Sequence, residues 1–279
     1  MNVITAIILG IIQGLTEFIP VSSSGHLVIY NALLGSGGEV NLAFSVLLHL
    51  GTLCSVFAVF AKDVQLLVCE FFAWLVDISR GKRAVKTASR RYLFMVIIAT
   101  IPAVLAGVAI KLLNLTDILE NVFVAAFMLL ITSAFMFLID RMNKGRKNAE
   151  NASYISALTV GLFQAMAILP GLSRSGSTIF AGLLGRYDKE FAVKFAFILS
   201  IPVIIGAGLL ELIDAWRVGE IGMDALNMAV GFFAAFISGI FAIKFVRMLI
   251  SSNRFYLFGI YCLAASAIAV LAGLGVIGM

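Results

Sequence analysis

The chain has 279 residues, of which 62% are hydrophobic and only 13% are charged. That balance excludes an ordinary soluble domain and points to a protein whose solvent is largely lipid. The net charge of +5 does not argue for nucleic acid, because the charges gather between apolar runs, where membrane topology signals belong.

A membrane span needs about 20 apolar residues. Residues 3–19 are apolar but end in Glu17, Pro20 and a serine run; residues 26–34 are apolar but too short to span, and Gly35 to Gly38 break the chain. The economical reading is a re-entrant helical hairpin over 3–34, turning near 18–23, because non-helical backbone at membrane depth needs protein or a water-filled cavity around it. The alternative is an ordinary span over 3–19 followed by a surface loop. The first full span is expected at 42–61, and 64–78 reads as a helix at the interface or against the bundle. Spans at 92–112 and 118–140 follow, joined by a tight turn at Asn114–Asp117. The polar stretch 141–153 marks a boundary. A second hairpin is expected at 154–185, then spans at 190–213, 224–248 and 254–276.

No lysine or arginine precedes Lys62, so a secretory signal peptide is not expected. Cys54, Cys69 and Cys262 are odd in number and lie in or beside apolar runs; neither a disulfide framework nor a metal-ligand spacing is expected.

The two hairpins carry one pattern written twice, offset by 151 residues. Gly10 matches Gly161, Gln13 matches Gln164, Ser22 matches Ser173, and Ser24-Gly25 matches Ser175-Gly176. Downstream, Phe44 falls on Phe195, Leu48 on Leu199 and His49 on Ser200. This is an internal duplication. One hairpin and three spans per half is an odd count of crossings, so the second half (154–279) inserts upside down relative to the first (1–140). The fold class expected is an all-α polytopic membrane protein with six spans and two re-entrant hairpins in an inverted repeat. The basic clusters agree: Arg80 to Arg91, Arg141 to Lys147, Arg186 with Lys189, and Lys244 to Arg254 fall on one side, against Lys111 and Arg217 on the other. The rich side is cytoplasmic, both termini lie outside, and the hairpins enter from opposite leaflets so that their tips meet.

Chemistry concentrates at those tips. Ser22 to Ser24 and Ser173 to Ser175 are N-cap residue types, so both outgoing helices aim free N–H groups and a positive dipole end at one small volume, a ready anion site. Arg174 adds a fork-shaped cation suited to phosphate oxygens; the alternative is a structural ion pair with Glu17. Gln13 and Glu17 are four apart and share a helix face. Ser23 and His26 are three apart, within reach of a hydroxyl–imidazole contact that would activate the serine. Glu17 could orient that base or help hold a divalent cation. His49, within the first span, reads as packing or a hydrogen bond between spans.

The segments Gln13-x-x-x-Glu17, Pro20-Val-Ser-Ser23-Ser-Gly-His26 and Pro170-Gly-Leu-Ser173-Arg174-Ser175-Gly-Ser-Thr178 resemble the signatures of the BacA-type undecaprenyl-diphosphatases linked to bacitracin resistance, and the likeness runs over nearly the whole chain. The resemblance implies a bacterial inner-membrane hydrolase that removes one phosphate from undecaprenyl diphosphate and so recycles the lipid carrier of peptidoglycan synthesis. It implies a site open to the outer leaflet and a magnesium or calcium ion. It makes Glu17, Ser23, His26 and Arg174 the central residues, with Glu17 a metal-ligand candidate. Gln13, Ser22, Ser24, Ser173, Ser175 and Thr178 then bind phosphate. Gln at position 13 leaves no paired carboxylates on that helix face. Whether Ser23, His26 or water attacks stays open, and a homodimer is an allowed assembly. The rival reading is a polyprenyl-phosphate flippase, since inverted repeats with broken helices are also transporter architecture.

Overall fold

The computed structural model describes residues 2–34, 42–81, 87–113, 115–142, 145–218 and 224–277. The expected break at Gly35 to Gly38 lies outside the described residues, as do Lys82, Arg83, Lys86, Asn114 and Lys144. The described chain is mostly helix, with one isolated β-bridge between Lys147 and Tyr187. In order the helices are α1 (Val3–Phe18), α2 (Ser23–Leu34), α3 (Leu42–Val59), α4 (Ala61–Ser79), α5 (Ala88–Leu112), α6 (Thr116–Glu120), α7 (Val122–Arg141), α8 (Tyr154–Met166), α9 (Arg174–Leu184), α10 (Lys189–Val218), α11 (Ala225–Ser251) and α12 (Tyr256–Gly273).

A helix stands at each place where a span is expected. Among the described residues, α5, α7, α10, α11 and α12 are long and apolar enough to cross a membrane, and α3 with α4 forms a further candidate bent by 93°. Only between 33% and 39% of each long helix's apolar window is buried inside the protein, so most of that apolar surface is left for lipid. Arg90, at the start of α5, bonds Glu70 at 2.9 Å and Asp77 at 3.1 Å, which fastens α4 to the bundle. Of the tight turn expected at Asn114–Asp117, Asn114 lies outside the described residues, and residues 116 and 117 open the short helix α6. α7 begins at 122 rather than 118 because Asn121 caps it, its Oδ1 accepting from the N–H groups of Phe123 and Val124 at 2.9 and 3.2 Å. The boundary stretch 145–152 is tied down, with Arg146 and Lys147 donating to the Arg186 carbonyl at 3.1 and 3.0 Å.

The two short broken pairs are α1–α2 and α8–α9. α1 lies along α11, and α8 lies along α5. Each contact uses a duplicated glycine: a Cβ on Gly10 would meet Ala234 Cβ at 2.7 Å, and one on Gly161 would meet Ala99 Cα at 2.8 Å. Such close approach of backbones is how helices pack where no hydrophobic effect drives them together. α7 packs on α12, and α3 on α10.

The tips of the two pairs touch. A Cβ on Gly25 would lie 2.7 Å from Gly171 Cα, and one on Gly176 would lie 3.2 Å from Pro20 Cβ. Position 171 is the 151-residue counterpart of 20, and 176 of 25, so the contact is reciprocal. The turns use left-handed residues at Ser22 (φ 66°) and Gly171 (φ 90°). Non-helical backbone packed inside a protein needs partners. Thr132 of α7 supplies them to the second tip, donating to the Gly171 carbonyl at 2.8 Å and accepting from the Ser173 N–H at 3.0 Å. Beneath the tips, Phe18 meets Phe197 edge-on with centroids 5.3 Å apart.

Candidate active site

Each tip caps its outgoing helix in the same way. Ser22 Oγ accepts from the Gly25 N–H at 3.3 Å and lies 3.3 Å from Ser24 Oγ. Ser173 Oγ, the N-cap of α9, accepts from the Gly176 N–H at 3.2 Å and lies 3.2 Å from Ser175 Oγ. One N–H of each first turn is thereby used. Those of 23 and 24, and of 174 and 175, precede the first intrahelical acceptor and give each helix end its positive character.

Between the tips lies a cavity of about 510 Å³. Glu17, Ser22, Ser23 and Ser24 line it from one pair, and Ser173 and Arg174 from the other. His49 of α3, Gln164 of α8 and Glu211 of α10 also line it, and α5 adds an apolar wall at Ala103, Val104 and Val108.

The polar groups form one chain. The Arg174 guanidinium pairs with Glu17 Oε1. Glu17 Oε2 accepts from Gln13 Nε2 at 3.0 Å, and that nitrogen also lies 3.3 Å from His49 Nδ1. The Glu17 side chain is 7% exposed and that of Arg174 22%. A carboxylate only accepts, so the Gln13 end facing it is the NH2, and the same NH2 donates to His49 Nδ1. In the neutral imidazole the proton then sits on His49 Nε2, which makes that atom a donor. The ion pair that stands as the alternative for Arg174 is thus formed, and it bridges the two tips.

His26 is held elsewhere. Its Nδ1 lies 2.7 Å from the Ser22 carbonyl, which only accepts, so Nδ1 carries the proton. Nε2 is left as the acceptor of the Tyr261 hydroxyl at 2.8 Å, and the rings stack 5.4 Å apart at 12°. The contact expected between Ser23 and His26 is therefore not made here: both ring nitrogens are engaged. Ser23 faces the cavity, and among the described residues its hydroxyl has no hydrogen bond. Thr178 and Ser175 are buried and off the cavity wall. Thr178 Oγ1 donates back to the Arg174 carbonyl at 2.8 Å, the usual habit of a helical threonine, so it supports the helix rather than facing a ligand. Gln13 stands behind Glu17.

Three further polar residues reach the cavity without a local motif to mark them. His49 makes the bond between helices that its position in the first span allows, and it also faces the cavity. Gln164 shows in the sequence only as the counterpart of Gln13. Glu211 has no place in either serine run, yet a carboxylate inside an apolar span is itself a signal of function; its Oε2 is buried without a partner. Among the described residues no three Asp, Glu, His or Cys side chains gather at one point, and both Glu17 oxygens are engaged. Glu17 and Glu211 are the two carboxylates on the cavity wall, and they are the residues that would hold a magnesium ion whose other ligands are water and phosphate.

The sequence matches the family model described as "Bacitracin resistance protein BacA" over residues 6–268. An undecaprenyl-diphosphatase from Alkaliphilus metalliredigens is 40% identical over 276 residues, covering 98% of this chain and 100% of that one. The undecaprenyl-diphosphatase of Methanobrevibacter smithii is 44% identical over 265 residues, 94% of each chain. That of Methanosphaera stadtmanae is 36% identical over 276 residues, 97% of this chain and 98% of its own. Full-length matches at this identity, around a site whose two halves are the signature segments themselves, establish that this multi-pass membrane protein belongs to the BacA family.

Proposed function

We propose that this protein is an integral-membrane phosphatase that hydrolyses undecaprenyl diphosphate to undecaprenyl phosphate and inorganic phosphate. The observation that carries the reading is the convergence of two capped helix starts, their serine hydroxyls and one guanidinium on a single cavity with an apolar wall. Such a cavity suits an anionic headgroup on a lipid tail. The relatives' names support the same activity and give the flippase reading no support.

In this reading Arg174 and the N–H groups of α2 and α9 hold the diphosphate oxygens. Arg174 then exchanges Glu17 for phosphate as its partner. Ser23 Oγ forms a bond to the terminal phosphorus, the phosphoanhydride bond breaks, and the lipid monophosphate leaves. The serine proton passes to His26 Nε2, the basic nitrogen of that ring, once Tyr261 releases it. Water then cleaves the phosphoserine and frees phosphate. Charge stabilisation carries most of the barrier lowering, as in phosphoryl transfer generally. No step runs through a resident cation; magnesium or calcium enters as an ion carried by the diphosphate. The residues named in these steps all belong to one chain, and the steps do not call on a homodimer.

We read the halves 1–140 and 154–279 as an inverted repeat. The exchange of contacts supports it: α1 on α11 answers α8 on α5, and Gly25 with Gly171 answers Gly176 with Pro20. With the basic loops cytoplasmic, both termini lie outside and the site opens toward the outer leaflet of the bacterial inner membrane. The test of function is phosphate release from undecaprenyl or farnesyl diphosphate by the purified protein, with and without chelator. Release is expected; none in the presence of divalent cation overturns the reading.

A further inference from the structure

Gln164 is, with Ser173, the best-buried polar residue on the cavity wall, at 2% exposure, and neither its Oε1 nor its Nε2 has a hydrogen-bond partner. Its counterpart Gln13 shows what such an amide does in a structural role. It bonds Glu17 four residues on and faces His49. The duplication places Ile168 where Glu17 stands and Ser200 where His49 stands. Ile168 offers no polar side-chain atom. The Ser200 hydroxyl is spent on the Phe197 carbonyl at 2.7 Å. Both structural partners of the first copy are thus missing from the second, while the amide itself is kept, buried, beside Ser173 and Arg174 on the cavity wall.

A buried amide without partners is destabilising, and an apolar side chain of the same shape would be the better choice for the fold alone. The amide therefore has a partner that is absent from the free protein. Arg174 and the two capped helix starts on that wall favour an anion, and an amide NH2 is a donor to anionic oxygens. We propose that Gln164 is a ligand of the diphosphate headgroup, its NH2 donating to a phosphoryl oxygen from the side opposite the Glu17–Gln13–His49 chain. The proposal rests on the function given above and adds to it a binding residue outside the two serine runs.

The test uses full-length protein in detergent: wild type, Gln164→Leu, Gln164→Met and Gln164→Glu. Two quantities are read, the steady-state kinetics with farnesyl diphosphate and the shift in Tm on adding methylenediphosphonate, a diphosphate that cannot be hydrolysed. For the Leu and Met variants the expected result is an unliganded Tm equal to or above wild type, since an unpaired polar group has been removed. The ligand-induced shift is lost, and KM rises about tenfold to a hundredfold with kcat within about threefold, the signature of lost binding. Gln164→Glu, which replaces the donor by a negative charge, is expected to lose more than either. Wild-type KM and a wild-type ligand shift in a folded Leu or Met variant overturn the proposal. So does a lowered unliganded Tm with unchanged KM, which makes the amide a structural group. If the wild type releases no phosphate but keeps a ligand shift that depends on Gln164, the catalytic reading fails and the binding residue stands; if it shows neither, both fail.

Discussion

Arg174 and Glu17, 157 residues apart in sequence, form an ion pair that joins the tips of the two broken helix pairs. Both charges lie where water is scarce, so neither is left without a partner in the free protein. The pair therefore has two consequences, one for stability and one for catalysis, and they can be separated.

Removing one partner strands the other. Arg174→Ala is expected to abolish turnover and also to cost about 3–5 kcal/mol of stability, because a buried carboxylate loses its counter-charge. Arg174→Gln combined with Glu17→Gln removes both charges, and is expected to regain most of that stability while staying inactive. Melting curves beside phosphate release measure both. A single Arg174→Ala variant with a normal Tm contradicts the buried pair.

Tyr261 holds the nitrogen of His26 that the mechanism needs. If that nitrogen receives the serine proton, His26→Ala is expected to lower kcat by about 10²–10⁴-fold. Tyr261→Phe, which only frees the ring, is expected to leave kcat within a few-fold of wild type. Equal, moderate losses in the two variants would show that His26 is a strut for the Ser22 turn instead.

The hydrogen-bond chain makes His49 Nε2 a donor on the cavity wall. His49→Gln keeps a donor of similar reach and is expected to retain most activity, whereas His49→Ala is expected to raise KM about tenfold, the worth of one hydrogen bond to a charged group. Kinetics with farnesyl diphosphate distinguish them; identical behaviour of the two variants argues that His49 only packs.

The tips leave no room for a methyl group at Gly25, where a Cβ would sit 2.7 Å from Gly171 Cα. Gly25→Ala is expected to destabilise by about 1–3 kcal/mol, the usual cost of overpacking, and to lower activity by parting the tips. Gly107→Ala, with nothing within 4 Å of the added carbon, is expected to leave the Tm unchanged. Thermal melts of the two variants in one detergent check this.

Helix positions are legible in the sequence because apolar run length alone marks a span, and polar breaks in apolar runs mark a tip. Boundaries set by a single side chain are not: Asn121 moves the start of α7, and the chain from 116 to 120 coils into α6. At the site, the serine runs, Glu17 and Arg174 declare themselves as polar residues in an apolar setting. His26 does not behave as its spacing from Ser23 suggests, because its partner Tyr261 is 235 residues away and nothing in the local pattern names it. Glu211 and Gln164 are hidden for the opposite reason. Each is a lone polar residue in a long apolar stretch, and only the packing of α8 and α10 against the tips brings them to the cavity.

If both tips act on one diphosphate, a change at either must stop the reaction. The most direct measurement is phosphate release from undecaprenyl diphosphate by purified wild type, Ser23→Ala and Arg174→Ala, one variant from each tip. Release by the wild type and its loss in both variants is the predicted result. A wild type that releases none, or either variant working at the wild-type rate, contradicts the shared site.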